Sequence, residues 1–448
     1  MTEPFDQSEL MAKAEALVAA ARAAGADAAD AVALRSVSLA VEVRLGKVEE
    51  TERAEGDSIG LRVFVGRRPA TVSTNTAEDP RALAERAVAM AKVAPEDAYA
   101  GLADPALLID KIPDLDLVDN SAPDAQDLTE AALAAEEAAL AVAGVSNSGG
   151  ASASWRLGGM VLATSSGFAG RFLASAHGIS ATALAGSGTA MERDYDYSSA
   201  RHRGDLADPA AIGRLAGERA VKRLDPRKVQ SRTATVVFEP RTAGSLVSHL
   251  ASAANGASVA RGTSFLKDRR GGKVFRDGVT IVDDPLRRRG LRSAPFDGEG
   301  VAGHAMEIVA DGVLAEWLLD SATARELQLS TNGRARRGTA GAPSPGTSNL
   351  YMKPGRRSPA EIIGEIEAGL YVTDLIGHGV DLVTGDYSRG VAGFWIENGE
   401  ITYAVSEITV AGNLADMFAR LEPASDLEFR YGVDAPTIAI EGMTIAGQ

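Results

Sequence analysis

The chain has 448 residues, 45% hydrophobic and 24% charged, a length and composition typical of two or three globular domains. Its formal charge of −15 argues against nucleic acids and anionic membranes as main partners. Because the chain contains no cysteine, disulfides, thiolate nucleophiles and thiolate metal ligands are excluded.

The first half of the sequence alternates between helical and strand-like patterns. In chain order we predict a helix over 8–24 capped by Ser8, a strand over 39–45, hairpin strands at 59–65 and 70–74, a helix over 81–92, a connector over 101–127, a helix over 128–143, short strands between 152 and 186 with a tip at 165–167, and a helix capped by Asp208. These patterns predict a mixed sheet with flanking helices.

The second half is dominated by strand patterns. We predict a strand over 233–238, a helix that begins at Pro240, strands at 279–282, 306–309 and 313–319, an exposed loop over 338–348, a helix from Ser358 to about 369, and a β-rich tail over 380–447. The fold class is therefore α+β with a C-terminal β-rich, barrel-like domain. The domains are 1–228, with a sub-boundary near 101–127, and 229–448.

The helix after Pro240 is a natural place to look for zinc ligands. It carries one histidine, His249, and no two histidines of the chain lie three to five residues apart, as a helical zinc motif requires. Ligands from distant segments remain an alternative. Otherwise His249 is a helix residue at a cleft or partner surface, or is satisfied by a backbone carbonyl. The five histidines are His177, His202, His249, His304 and His378.

Other catalytic motifs are weaker. The segment 56–60 matches G-x-S-x-G, but it precedes a predicted strand, whereas a nucleophile elbow follows one, so we interpret it as a turn. The acidic segments Asp283-Asp284-Pro285 and 297–300 are suited to binding a cation, to acid–base chemistry or to loop geometry. We favour loop geometry, because adjacent side chains at a strand end point apart.

Several segments in a fixed order resemble the TldD/PmbA family of metallopeptidases, specifically its PmbA (TldE) branch. They are GLRVFVGRRPATVSTN (60–75), LATSSGFAG (162–170), MERDYDYS (191–198), IVDDP (281–285), DGEGV (297–301), LDSATA (319–324), NLYMKPG (349–355) and MTIAG (443–447). Because they extend along nearly the whole chain, the resemblance covers both halves.

In the TldD branch, the resemblance implies a zinc site built from an HExxxH helix and a cysteine near the C-terminus. If His249 takes the first histidine position, Leu250 takes the glutamate position and Ala254 the second histidine position. If Asn255-Gly256 takes the His-Gly position, Leu250 and Ala251 take the first two. Neither register supplies a ligand pair and a base, so we expect no catalytic residue and no metal in this chain.

The resemblance then implies a role as the non-metal subunit of a cytoplasmic TldD–TldE heterodimer that degrades or trims unfolded peptides. Zinc is expected in the TldD-like partner, and this chain is not catalytic on its own. It would shape the substrate cavity and support that partner. Two alternatives stay open: an independent peptidase with a non-standard site, and a non-catalytic peptide-binding scaffold that forms a homodimer when alone. No nucleic acid or membrane is expected as a partner.

Four residues are predicted to line a peptide cleft: His249, Asn255, Arg334 and Asn349. The loop over 338–348 and the neighbouring Arg334, Arg336 and Arg337 are suited to line an opening or to hold peptide carboxylates. The alternative is a solvated loop with ordinary surface arginines.

Overall fold

The first half of the chain is built on one six-stranded sheet. The computed structural model describes residues 6–75 and 79–447. The strands of this sheet are β1 (Ala28–Arg44), β2 (Lys47–Val65), β3 (Arg68–Thr74), β4 (Val145–Thr164), β5 (Ala169–Ala185) and β6 (Glu192–Ala200). Their order is β3-β2-β1-β4-β5-β6, and every neighbouring pair is antiparallel.

Four helices cover one face of this sheet: α1 (Ser8–Ala23), α2 (Pro80–Val93), α3 (Ala125–Leu140) and α4 (Pro209–Lys222). Odd-numbered strand residues pack against them, for example Ala31 and Val161 against α1 and α2, and Ala181 against α3 and α4. Even-numbered residues such as Leu162 lie in a cluster with Phe296 of the second half. Since successive strand residues point to opposite faces, the second half meets the face that the helices leave open.

The first half differs from its sequence prediction in several respects. Strand β1 begins at Ala28 rather than near 39, and β2 begins at Lys47 rather than at 59. The described sheet is antiparallel throughout and not mixed. The short strands expected between 152 and 186 are two long ones, β4 and β5, which pair without interruption through Gly158, Gly159 and Gly178. Ser8 is the first helical residue rather than the cap, a position that Gln7 takes. The hairpin tip at 165–167 is confirmed, as is the Asp208 cap, whose carboxylate accepts from the Ala211 backbone N–H.

The second half contains a closed barrel. Its strands are β7 (Arg232–Phe238), β14 (Ala368–Ile376), β15 (Asp386–Glu397), β16 (Glu400–Asn413) and β19 (Ile438–Ala446), with β17 (Leu421–Pro423) paired outside the ring to β19. The order is β16-β15-β14-β7-β19, and a further β16–β19 pairing closes five strands into a ring. The predicted α+β class with a barrel-like C-terminal part is therefore confirmed.

Helix α5 (Pro240–Ala253) packs on this barrel directly after β7. Its apolar residues Leu246 and Leu250 share a buried cluster with Val236 and Phe238 of β7. The intervening Val237 belongs to a separate cluster with Ile362 and Ile363 of α8 (Pro359–Ile363). Successive residues of β7 therefore point into two different buried clusters, so both faces of this strand are buried.

The remaining elements form a smaller sheet and short connections. The strands of the smaller sheet are β8 (Ile281–Asp284), β9 (Met306–Ala310), β10 (Val313–Leu314), β13 (Asn349–Met352) and β18 (Val433–Asp434). A separate two-stranded pair consists of β11 (Ala335–Arg336) and β12 (Ser344–Pro345). The short helices are α6 (Gly256–Ala260), α7 (Ser321–Glu326) and α9 (Leu414–Arg420). Three segments of the second half differ from their sequence prediction. The strand from 313 ends at Leu314, the helix from Ser358 ends at Ile363, and the loop over 338–348 contains the buried Pro343 and Pro345.

No described helix combines the length and the apolar character that crossing a bilayer would need. The predicted domain limits near residue 228 stay a prediction.

Candidate functional site

A cleft of about 1100 Å³ lies between the open face of the first sheet and loops of the second half. Its floor is formed by small residues on β1, β4 and β5, among them Ser36, Gly158, Ala174 and Ala176. Because these side chains are short, the sheet leaves space below the loops. The wall opposite consists of the segments 291–298 and 335–344.

The charged residues of the cleft are strongly biased toward one sign. The described lining contains six arginines and two aspartates: Arg35, Arg156, Arg201, Arg292, Arg336, Arg337, Asp57 and Asp297. Arg35 forms a two-point contact with Asp57, at 2.6 and 2.8 Å. The cleft is therefore cationic, although the chain as a whole carries a formal charge of −15.

One end of the cleft is aromatic. The Phe296 ring meets the rings of Phe168 and Phe172 edge to face, with both centroid distances at 5.4 Å. Phe172 and Phe296 also line the cleft. The surface beside the arginines is therefore suited to apolar as well as charged groups.

A buried ion network fixes the arginine-bearing loop to the sheet. The Asp30 carboxylate on β1 lies 2.5 Å from Arg62 on β2 and 2.5 Å from Arg337 of the second half. Glu299 approaches Arg62 at 4.0 Å and accepts a hydrogen bond from the Ser321 backbone N–H. All four charged side chains are at most 7% exposed. The two halves are thus joined by charged side chains that are almost inaccessible to water.

Asp297 sits at the turn of the predicted DGEG loop. Its carboxylate accepts hydrogen bonds from the backbone N–H groups of Glu299, Val301 and Ala335. Burial, followed by the nearby Glu299, raises the pKa of Asp297 to about 7, and the three N–H donors offset this only in part. The predicted preference for loop geometry agrees with these bonds, which connect the turn to β11.

This pKa predicts a pH dependence of stability. The folded state holds a proton that the unfolded chain releases near pH 3.8, so the contribution is complete below that pH and is lost as pH rises through 7. Relative to an Asp297→Asn variant, the wild type should lose about 2–3 kcal/mol of unfolding free energy between pH 5 and pH 8. Urea denaturation of both proteins at the two pH values measures this. Parallel pH curves for the two proteins would contradict it.

Helix α5 has one side chain able to ligate a metal at the place that the resemblance indicates. Leu250, Ala253 and Ala254 are fully buried at 0% exposure among apolar neighbours. They follow His249 at the positions where further donors would be needed. Zinc requires nitrogen, sulfur or carboxylate ligands, so these residues do not fit a zinc ion. Residues 6–75 and 79–447 also show no group of three or more His, Asp or Glu side chains arranged to hold a metal.

His249 itself is half-buried. Its ring lies edge-on to the Tyr387 ring, with centroids 6.2 Å apart. Neither His249 Nε2 nor the Tyr387 hydroxyl has a hydrogen-bond partner among the described residues. Burial and then Arg389 lower the pKa of His249 to about 4, so the imidazole is neutral at pH 7.

None of the four predicted cleft residues lines the arginine cleft. His249 lies on α5, and Asn255 caps α6 and donates to the Pro345 carbonyl. Arg334 is 2% exposed and pairs with the buried Asp283 at 2.5 Å. Asn349 donates to the Asp284 carbonyl and the Ser293 hydroxyl, and borders a smaller cleft of about 240 Å³. Peptide contact by these four residues stays a prediction.

The cleft arginines were only partly visible in the sequence. The sequence points to the cluster at 334–337, and Arg336 and Arg337 do line the cleft. It does not point to Arg156 on β4 or to Arg201 just after β6, because they meet the loop only through tertiary packing. A weak signal existed for Arg156, which takes a polar place in the alternation of β4.

Comparison with known proteins agrees with this architecture. Family models described as PmbA/TldA metallopeptidase domain 1, central domain and C-terminal domain match residues 29–91, 119–224 and 231–447. The chain is 36% identical to metalloprotease PmbA of Escherichia coli O157:H7, over 94% of this chain and 93% of that protein. It is also 36% identical to a PmbA homologue of Haemophilus influenzae, over 98% and 97%.

Solved structures of related proteins share the fold of this chain. A proposed modulator of DNA gyrase from Bacteroides thetaiotaomicron superimposes with a TM-score of 0.90 at 27% identity, covering 98% of this chain and 99% of that one. TldE from Thermococcus kodakarensis shares the fold, with a TM-score of 0.86 at 20% identity over 97% and 100%. Fold and sequence together define a metallopeptidase-type architecture. The chain belongs to the PmbA/TldD family, and its curated full-length relatives are named as PmbA metalloproteases.

Proposed function

We propose that this chain is the non-metal subunit of a TldD–TldE-type heterodimer that degrades or trims unfolded peptides. In this role it shapes the substrate cavity and supports a zinc-bearing, TldD-like partner. The observation that carries the proposal is helix α5, where His249 is followed by the buried Leu250 and Ala254 in place of donors. A chain with one ligand there cannot hold zinc and activate water by itself.

A strand edge beside the cleft that no described residue pairs with supports peptide binding. Residues 47–57 of β2 are exposed and pair with β1, while pairing of β2 to β3 begins only at Ile59. Asp57 and Ser58, at the end of this stretch, line the cleft. An extended peptide that added to this edge would gain main-chain hydrogen bonds without sequence preference, which suits unfolded substrates.

Reconstitution tests the proposal. Each chain is purified alone and after co-expression with a TldD-like chain of the same source, and cleavage of an unstructured peptide is measured. We expect stable co-purification, cleavage by the pair, loss of cleavage with a chelator, and no cleavage by this chain alone. As a control, this chain is co-expressed with a TldD-like chain in which glutamine replaces the glutamate of the HExxxH motif, and this complex should be inactive. Chelator-sensitive cleavage by this chain alone would contradict the proposal.

Two further measurements test the oligomeric state and the cellular location. Size-exclusion chromatography with light scattering distinguishes a heterodimer from a homodimeric scaffold that ignores the TldD-like chain. Fractionation of the source cells tests the proposed cytoplasmic location.

A further inference from the structure

Four arginines of the cleft lack a neutralising partner. Arg156, Arg201, Arg292 and Arg336 have no carboxylate within 4.0 Å in the described parts of the chain. The other two arginines of the lining do, since Arg35 pairs with Asp57 and Arg337 with Asp30. An acidic chain with ample carboxylates therefore leaves these four cleft arginines without an ion pair among the described residues.

Arg201 is held in place by neutral acceptors. Its guanidinium donates to the backbone carbonyls of Ser175 at 2.9 Å, Gly290 at 3.2 Å and Leu291. These bonds orient the group without cancelling its charge. Burial, and then the charge of Arg336, lower the pKa of Arg201 to about 10, so it stays cationic at pH 7.

Arg336 and Arg292 complete a repulsive group around Arg201. The Arg336 side chain makes no hydrogen bond to a described residue, and the Arg292 side chain has only a long contact of 3.4 Å to the Thr347 hydroxyl. Burial and then Arg292 lower the pKa of Arg336, and the more distant Asp283 and Asp297 oppose this only in part. The residue is nevertheless exposed toward the cleft. Like charges held together in this way repel each other, and a bound anion would relieve the repulsion.

We propose that Arg201, Arg292 and Arg336 form a carboxylate-binding site for peptides, with Arg156 extending it along the floor. Guanidinium groups match the geometry of carboxylates, and the partly exposed Phe172, packed on the buried Phe296, offers apolar contact to the adjacent peptide residues. The carboxylate comes from an acidic side chain or from the C-terminus of the peptide. A nucleic acid is disfavoured, because its many phosphates would also meet the chain's overall negative charge.

This inference deepens the proposed function, because it names the chemical class of peptide that the cleft binds. Its link to peptide cleavage rests on the proposed function, whereas the binding itself does not. Binding is a property of this chain, and cleavage is a property of the reconstituted pair. Loss of one without the other therefore distinguishes a failure of the site from a failure of the heterodimer.

Fluorescence anisotropy with the full chain tests the site. Three unstructured labelled peptides are compared: glutamate-rich with an amidated C-terminus, neutral with a free C-terminus, and neutral with an amidated C-terminus. We expect the first or the second, or both, to bind at least about tenfold more tightly than the third at low salt. The first two peptides identify the source of the carboxylate.

The expected variant response is specific. Arg292→Gln/Arg336→Gln, which changes two exposed side chains and spares the carbonyl-bound Arg201, should weaken carboxylate peptide binding at least about tenfold. Arg214→Gln is the matched control, because it removes a charge from the exposed surface of α4 on the other face of the sheet; its binding should stay within about twofold of wild type. Equal binding of all three peptides, an unaffected double variant, or tighter binding of an oligonucleotide would overturn the proposal.

Discussion

Replacing Asp30 with alanine should lower the free energy of unfolding by about 3–5 kcal/mol. The Asp30 carboxylate neutralises two arginines that are almost inaccessible to water, Arg62 at 7% and Arg337 at 1% side-chain exposure. Its removal would leave both cations buried with no partner of comparable proximity. Urea denaturation at pH 7 measures the loss.

Asp57→Ala is the matched control, because Asp57 pairs with Arg35 on the same sheet but is 48% exposed. Its loss should cost less than about 1 kcal/mol. Burial alone would raise the pKa of Asp30, but Arg62 and Arg337 outweigh burial and lower it. The stabilisation is therefore full above the ordinary value of 3.8 and is lost as pH falls toward the folded pKa. Equal effects of the two variants would contradict this account of the network.

Replacing Gly60 with alanine should destabilise the chain by about 1–3 kcal/mol and loosen the loop that carries the cleft arginines. A Cβ atom at position 60 would lie 2.0 Å from the Thr339 carbonyl oxygen, so the loop could not keep its place on β2. Denaturation measures the stability, and limited proteolysis within 338–348 measures the loosening.

Gly56→Ala tests whether the effect is local. Gly56 lies on the same face of β2, and a Cβ there would meet nothing within 4 Å. That variant should be neutral or up to about 1 kcal/mol more stable, because alanine loses less backbone entropy on folding. If Gly60→Ala behaved like Gly56→Ala, the loop would not be held on the sheet in the way described.

The sequence predicted elements whose signals are local. The Asp208 cap, the helix start at Ser358 and the strand-to-helix step at Pro240 depend on neighbouring residues, and all three are found. Glycines misled the prediction within β4 and β5. A glycine in a long antiparallel pair remains extended when the neighbouring strand holds it by hydrogen bonds. The local sequence around the glycine does not reveal that neighbouring strand.

The cleft was less predictable, because it depends on distant contacts. Arg201 and Arg336 are 135 positions apart in the sequence, and only the packing of the two halves brings them together. Asp283 and Arg334 illustrate the reverse case. Both looked available for chemistry in the sequence, yet they neutralise each other in the interior.

The central claim is that this chain lacks zinc of its own and depends on a partner that carries it. Metal analysis of the isolated chain and of the co-purified pair tests this claim most directly. We expect no stoichiometric zinc in the isolated chain, and about one zinc per pair, lost when the partner's HExxxH histidines are replaced. Stoichiometric zinc in the isolated chain, together with chelator-sensitive peptide cleavage, would contradict the account.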